Sequence, residues 1–417
     1  MSQSIRNVVD VTGIVDVHEH HFPEILLSRD VNLLQLFRQS YAGWTQRRGY
    51  ALPSESQPEP ELAAPTSWEA LAPFLEASGS NSFVRNIVRA VVELHGNGES
   101  TITRQNWESL DAAVRGHHAE PDWCIEVIQR ARIERLITDP YTDPLLDTRK
   151  TLGPNYDSVF RIDAFACGWC EDSRDHNGNK AHQLLARIGL QAKTFDDYLT
   201  SLDNLVAGCR RRHQVALKNA LAYDRGLDFD EPDEKLARQA WGKLTPTAAE
   251  RKAFSDFIID RFCRLAGDND LPMQMHLGSA IIRGSHPLKV AGLIERHPRT
   301  RFLLMHLAYP WSRDLLGMAF VYRNIWLDLT WSLLLSPSHF KLALQEAIEI
   351  LPDDSRMMIG GDNWHVEETY GALQLARRLI GDVLSDKLAE GYFCKTDAER
   401  LATKILRENA IQFFGLK

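Results

Sequence analysis

Four short apolar runs, spread over nearly the whole chain, each lead into side chains that can bind a metal ion. The first is Ile14-Val15-Asp16-Val17-His18-Glu19-His20. The others are Pro272-Met273-Gln274-Met275-His276, Phe302-Leu303-Leu304-Met305-His306 and Met357-Met358-Ile359-Gly360-Gly361-Asp362. Side chains of a β-strand alternate faces with period two, so His18 and His20 point the same way and can share one ion. A strand-length run that ends in His or Asp delivers that residue to the C-terminal rim of a parallel sheet. In a (β/α)8 barrel that rim carries the reactive groups.

Eight strand candidates follow in order: Ile14–His18, Ile133–Thr138, Val159–Phe165, Val215–Asn219, Met273–His276, Phe302–His306, Ile325–Leu329 and Arg356–Gly360. Helical spacing separates most of them, as in Phe195–Arg212, Ala248–Ala266, Leu288–His297 and Arg313–Arg323. Alternating strand and helix argues a parallel sheet, and a count of eight argues closure. The expected architecture is therefore an α/β chain with one TIM-like barrel domain over residues 1–417. A helical insertion and candidate lid interrupts it after the first strand, at about 25–130. The insertion contains the Pro- and Ser-rich run Leu52–Pro65 and helical patterns near Trp68–Leu75, Phe83–Leu94 and Trp107–Val114. A second, charged insertion, Asp228–Glu250, ends in the helix-start signal Thr245-Pro246-Thr247-Ala248-Ala249-Glu250. Residues Asp397–Phe414 read as a closing amphipathic helix.

Of 417 residues, 44% are apolar and 25% charged, which is ordinary for a globular protein. The net charge of −8 without a long basic run speaks against nucleic acid or an anionic membrane as partner. No stretch has membrane-span length, and the N-terminus lacks a signal-peptide core, so the expected location is the cytoplasm. Six scattered cysteines suit reduced thiols. Cys167-Gly168-Trp169-Cys170 has no second CxxC beside it and reads as an incidental loop pair.

The ordered set HxH, His, His and Asp suits zinc, iron or manganese. The fourth strand adds Val215-Ala216-Leu217-Lys218-Asn219-Ala220. A lysine in an apolar strand is expensive to bury as a cation. Three fates are open to Lys218: reaction with CO2 to a metal-bridging carbamate, a cationic partner for a substrate carboxylate, or escape of the ammonium to solvent.

The order HxH, Lys, His, His, Asp resembles the amidohydrolase superfamily of metal-dependent barrels. The closer likeness is to the branch similar to uronate isomerase and to the amidohydrolase domain fused to glutamine-synthetase-like proteins. It is carried by Leu217–Leu227, by Leu271–Gly278 and by Gly361–Glu368. The resemblance implies that His18, His20 and Asp362 bind one ion. His276 and His306 would bind a second, bridged by a carboxylated Lys218. With a single ion, His18, His20, His276 and Asp362 would hold it and His306 would contact substrate. The motif around Lys218 departs from that of the two-metal hydrolases.

The substrate-binding candidates at the rim are Arg161, Tyr223, Arg225, Arg283 and His365, although each taken alone reads as a loop ion pair. Arg161 is paired with Asp163 on one face of the third strand. The three arginines suggest a carboxylate-bearing substrate. His21 and the His117-His118 pair read as packing or solvent-facing residues. Gly360-Gly361 is expected to leave room for water and substrate beside Asp362.

The expected activity is metal-dependent hydrolysis of a small polar molecule, with Asp362 as base and His306 or an ion polarising the scissile bond. One or two divalent ions are expected, zinc first and iron or manganese otherwise. A dinuclear iron or manganese oxygenase, a non-hydrolytic isomerase or decarboxylase, and a silent binding module are the alternatives. A homo-oligomer is expected.

Overall fold

The computed structural model describes residues 2–46 and 68–416. Eight parallel strands lie in the order β1 to β8: Ile14–Glu19, Ile133–Thr138, Tyr156–Arg161, Gln214–Asn219, Met273–Met275, Phe302–Leu304, Ile325–Asp328 and Met357–Met358. Helices run between them, and the architecture is a (β/α)8 barrel. The strands are nearly all buried on both faces. That is why they read as short continuous apolar runs rather than alternating ones.

β3 begins three residues before its apolar core and stops at Arg161. Asp163 is not on the strand: it opens the short helix Asp163–Ala166. Thr247 caps the helix Ala248–Asp268 through a capping box with Glu250, as the sequence signal requires. The tail forms consecutive helical turns from Lys395 to Phe414, with a π-helical segment at Lys404–Glu408.

Ring closure is made by β1 against residues 359–363. Val17 N donates to Ile359 O at 3.2 Å, Asp362 N to His18 O at 2.8 Å, and His20 N to Asn363 O at 2.8 Å. Two β1 carboxyls add to this seam. Asp16 Oδ1 accepts from Gly361 N at 3.3 Å, and Glu19 Oε2 accepts from Asn363 N at 2.5 Å. A Cβ on Gly360 would lie 2.6 Å from Asp16 Oδ1, and one on Gly361 2.1 Å from Glu19 Oε1. The two glycines therefore make room for the carboxyls of β1, not for water and substrate.

The insertion brings Leu33–Arg38, Tyr41–Gln46, Trp68–Ser78, Ser82–His95, Trp107–Ala119 and Trp123–Arg130. Its apolar residues, among them Leu36, Phe37, Ile87, Val91 and Val114, form a core of their own. The run Leu52–Pro65 lies outside the described residues. The insertion joins the barrel through apolar packing, with Tyr41, Leu94, Trp123 and Val127 in the main core, and through a polar hub. Glu367, in the helix Val366–Ala389, accepts from His118 Nε2 at 2.8 Å, Trp123 Nε1 at 3.0 Å and His95 Nε2 at 3.3 Å. His117 Nδ1 lies 2.7 Å from His95 Nδ1. Burial opposes the charge on Glu367, but the donors from His118 and His95 outweigh it and hold the carboxyl well below its ordinary value.

An amide in place of this carboxylate keeps one acceptor oxygen for the three donors but loses the charge that strengthens each bond. Glu367→Gln is expected to destabilise the protein by about 1–3 kcal/mol. A carboxyl whose folded pKa is depressed stabilises above its unfolded pKa and loses that contribution as pH falls. The gap between wild type and variant should thus be full above the ordinary glutamate value of 4.5 and shrink below it. Chemical denaturation across that pH range measures it.

Candidate metal centre

The C-terminal ends of the strands surround one cavity of about 150 Å3. Of the expected site residues, His18, His20, Lys218, His276, His306, Asp362, Arg161 and Tyr223 line it. Arg225, Arg283 and His365 do not. Arg225 reaches away to Asp256 at 2.6 Å and to the carbonyl of Asp228 at 2.6 Å. Arg283 is exposed on a turn beyond β5. His365 is buried at the start of the helix Val366–Ala389, where burial pushes its imidazole down to about 4.

Metal-ligand atoms of His18, His20 and Asp362 all lie within 4.8 Å of one another. Asp362 Oδ1 is 3.0 Å from His20 Nε2 and 3.4 Å from His18 Nε2. Asp362 Oδ2 is 3.8 Å from His306 Nδ1, and His306 Nε2 is 3.1 Å from His276 Nδ1. Backbone carbonyls orient two of these rings. His20 Nδ1 donates to Asp139 O and His306 Nδ1 to Thr330 O, both at 3.3 Å. Each imidazole therefore keeps its lone pair on Nε2, the arrangement a ligating histidine needs.

Burial pushes His18 and His276 well below the usual histidine value and His306 down to about 4. All three are neutral at physiological pH. Buried Asp362 Oδ1, His276 Nε2 and Asp328 Oδ2 have no hydrogen-bond partner among the described residues. Unmatched lone pairs beside neutral imidazoles fit a divalent transition-metal ion. The backbone concentrates strain here: His306, Trp331 and Asp362 all have positive φ, at 62°, 62° and 67°.

Lys218 sits in β4 between Arg161 of β3 and Gln274 of β5. It is 1% exposed, so escape to solvent is closed to it. Burial lowers its pKa to about 8. Arg161 is committed elsewhere: Nη1 donates to Asp139 Oδ2 and Nε to Asp163 Oδ2, each at 2.7 Å.

Sequence reasoning misses several cavity residues. Asp139 follows β2 directly, as the ligands follow their strands, and that position was a usable signal. Tyr41, Tyr141, His176, Trp331 and Trp364 come from loops and the insertion, where no periodicity points to them. Tyr41 donates its hydroxyl to Asp362, and its backbone N–H donates to Glu368 Oε1 at 2.9 Å.

Residues 211–416 match the family model described as Amidohydrolase. That span holds Lys218, His276, His306 and Asp362, while His18 and His20 precede it. Protein fluG of Emericella nidulans is 27% identical over 225 residues, which are 48% of this chain and 26% of that protein. The chain thus spans about a quarter of that curated relative. Among solved structures, a uronate isomerase from Thermotoga maritima superposes with a TM-score of 0.77 at 15% identity, over 99% of this chain and 97% of its own. A glucuronate isomerase from Caulobacter crescentus gives 0.75 at 15%, over 100% and 94%. A candidate metal-dependent hydrolase from Lactobacillus casei gives 0.68 at 16%, over 99% and 97%. At these identities the likeness is one of fold.

Replacing His18 and His20 together with Ala should remove most of the bound metal. Metal analysis of the purified protein reads the loss. An unchanged far-ultraviolet circular dichroism spectrum shows that the helices survive.

Proposed function

With the amidohydrolase match over residues 211–416 as premise, we propose that the chain is a metal-dependent hydrolase of a small polar molecule. The observation that carries this reading is Asp362 Oδ1, buried, unmatched among the described residues and 3.0 Å from His20 Nε2. His18, His20 and Asp362 would hold one ion, with His276 and His306 beside them as ligands for a second. A bound divalent ion there lowers the pKa of water toward about 7 and polarises an oxygen of the scissile group.

Asp362 takes the proton of the attacking water and returns it to the leaving group. Tyr41 donates to the same carboxyl and holds its orientation. His306 has its proton on Nδ1, facing Thr330 O, so its Nε2 has none to offer a substrate oxygen. Its geometry suits a ligand better than a polarising donor. The aromatic walls supplied by Tyr141, Trp331 and Trp364 limit access of bulk water.

Lys218 supports the carbamate among its remaining fates. Burial enlarges the neutral fraction of its amine, and only the neutral amine attacks CO2. Isomerisation is the second reading. It draws on the uronate and glucuronate isomerases, whose fold matches nearly the whole chain.

A screen of lactones, amides, phosphoesters and glucuronate with the zinc- or manganese-loaded protein separates the two readings. Iron-loaded protein under air, tested with oxidisable acids, covers the oxygenase. No turnover of any lactone, amide or phosphoester would overturn hydrolysis. In the active assay Asp362→Asn should keep its metal and lose roughly 10²–10⁴-fold in kcat. Protein equilibrated with 13C-bicarbonate should show a carbamate carbon resonance that Lys218→Met lacks.

A further inference from the structure

Arg161 has three hydrogen-bonding guanidinium nitrogens, and only one lacks a carboxylate acceptor. Nε and Nη1 are held by Asp163 and Asp139. Nη2 instead lies 3.1 Å from His176 Nε2. A guanidinium can only donate, so His176 Nε2 must be the acceptor and the ring proton must be on Nδ1. Nδ1 lies 2.8 Å from Asp224 Oδ2 and donates to it. Asp224 Oδ1 accepts from the backbone N–H of the same histidine at 2.7 Å. One carboxylate thus fixes both the backbone and the ring of His176. The Asn177 side-chain amide nitrogen, 3.2 Å away, is the other contact of Nε2.

This group belongs to the cavity that holds the metal-binding cluster. Arg161 and His176 both line it. The Tyr223 ring bridges the two ends, with its centroid 5.0 Å from that of His176 and 4.5 Å from that of His276. Asp163, His176 and Asp224 could together be read as a cation site. The guanidinium bonded to both Asp163 and His176 already places a positive charge among them.

A substrate carboxylate fits poorly at Arg161. It would meet the carboxylates of Asp139 and Asp163 and the lone pair of His176 Nε2. A hydroxyl fits, because its oxygen can accept while its proton is donated. We propose that the substrate bears a hydroxyl that inserts between Arg161 Nη2 and His176 Nε2, and that His176 is the base that deprotonates it. The O–H bond breaks and an Nε2–H bond forms. The resulting imidazolium faces Asp224, and the alkoxide or phenolate faces the Arg161 guanidinium. Arg161 and His176 contact the substrate, and Asp224 is a positioning residue. The proposal rests on the reading of this cavity as the active site. It narrows the substrate to a small hydroxylated molecule whose hydroxyl is remote from the group that meets Asp362.

Two measurements on the zinc-loaded protein test this without a known substrate. The first is the ring 15N spectrum of histidine-labelled protein, with His176 assigned by its loss in His176→Gln. It should show the Nδ1–H tautomer, and Asp224→Asn should shift it away. The second is calorimetric binding of matched probes: 4-hydroxybenzoate against benzoate, and glycerate against propionate. The hydroxylated member of each pair should bind about tenfold more tightly to wild type, the worth of one good hydrogen bond, and this preference should vanish in His176→Gln. An Nε2–H tautomer at His176 overturns the proposal. So does equal affinity within both pairs, including no measurable binding of either member. His176→Gln should leave metal content unchanged, whereas failure of the metal-site reading appears as no retained ion in wild type.

Discussion

The barrel depends on how its first strand meets its last. β8 is only two residues long, and the ring is completed by the turn that follows it. Three backbone hydrogen bonds and two carboxyl groups set the register of residues 359–363 against β1. A slip of one residue would turn His18 and His20 away from Asp362. The same contacts accept the N–H groups on either side of Asp362 and hold that residue at a positive φ that an isolated chain would avoid. The cluster of candidate metal ligands is thus a by-product of closing the ring.

Buried acids have opposite fates in this molecule, and their neighbours decide which. Asp16 is pushed up to about 7 by burial, and Glu19 is pushed well above its ordinary value by burial and by Asp16 beside it. Burial thus works against full charge on the pair beneath the cavity. Asp328 is likewise pushed up to about 7 by burial. Glu367 is just as buried, yet it meets three nitrogen donors and remains ionised. The acids behind the cavity therefore shape the backbone, while the acid behind the insertion acts as an anchor.

The sequence showed the barrel because its strands are short, apolar and spaced by helices. It showed the candidate ligands that line the cavity because they stand at the ends of those strands. Asp139 and Asp328 stand at strand ends in the same manner and could have been read with them. Arg161 was visible as a residue, but its role was not. Its partners lie after β2, in the helix after β3 and in the following loop, and only the fold assembles them. Arg225 and Arg283 follow strands too, yet their side chains turn outward, because loop direction is set by contacts that periodicity does not encode. Tyr41 reaches the cavity from a segment whose helical pattern says nothing of where it docks.

The seam also orders events in time. Glu19 and Asn363, which meet across it, are 344 residues apart in the chain. His18 and His20 leave the ribosome long before Asp362, the carboxylate that faces them. Contacts of such long range form late, after most loop-closure entropy has been lost. An ion that binds only the closed ring stabilises it by mass action, in proportion to the logarithm of free metal over the dissociation constant. For an ion held between β1 and Asp362, that dependence would tie closure of the ring to the metal available.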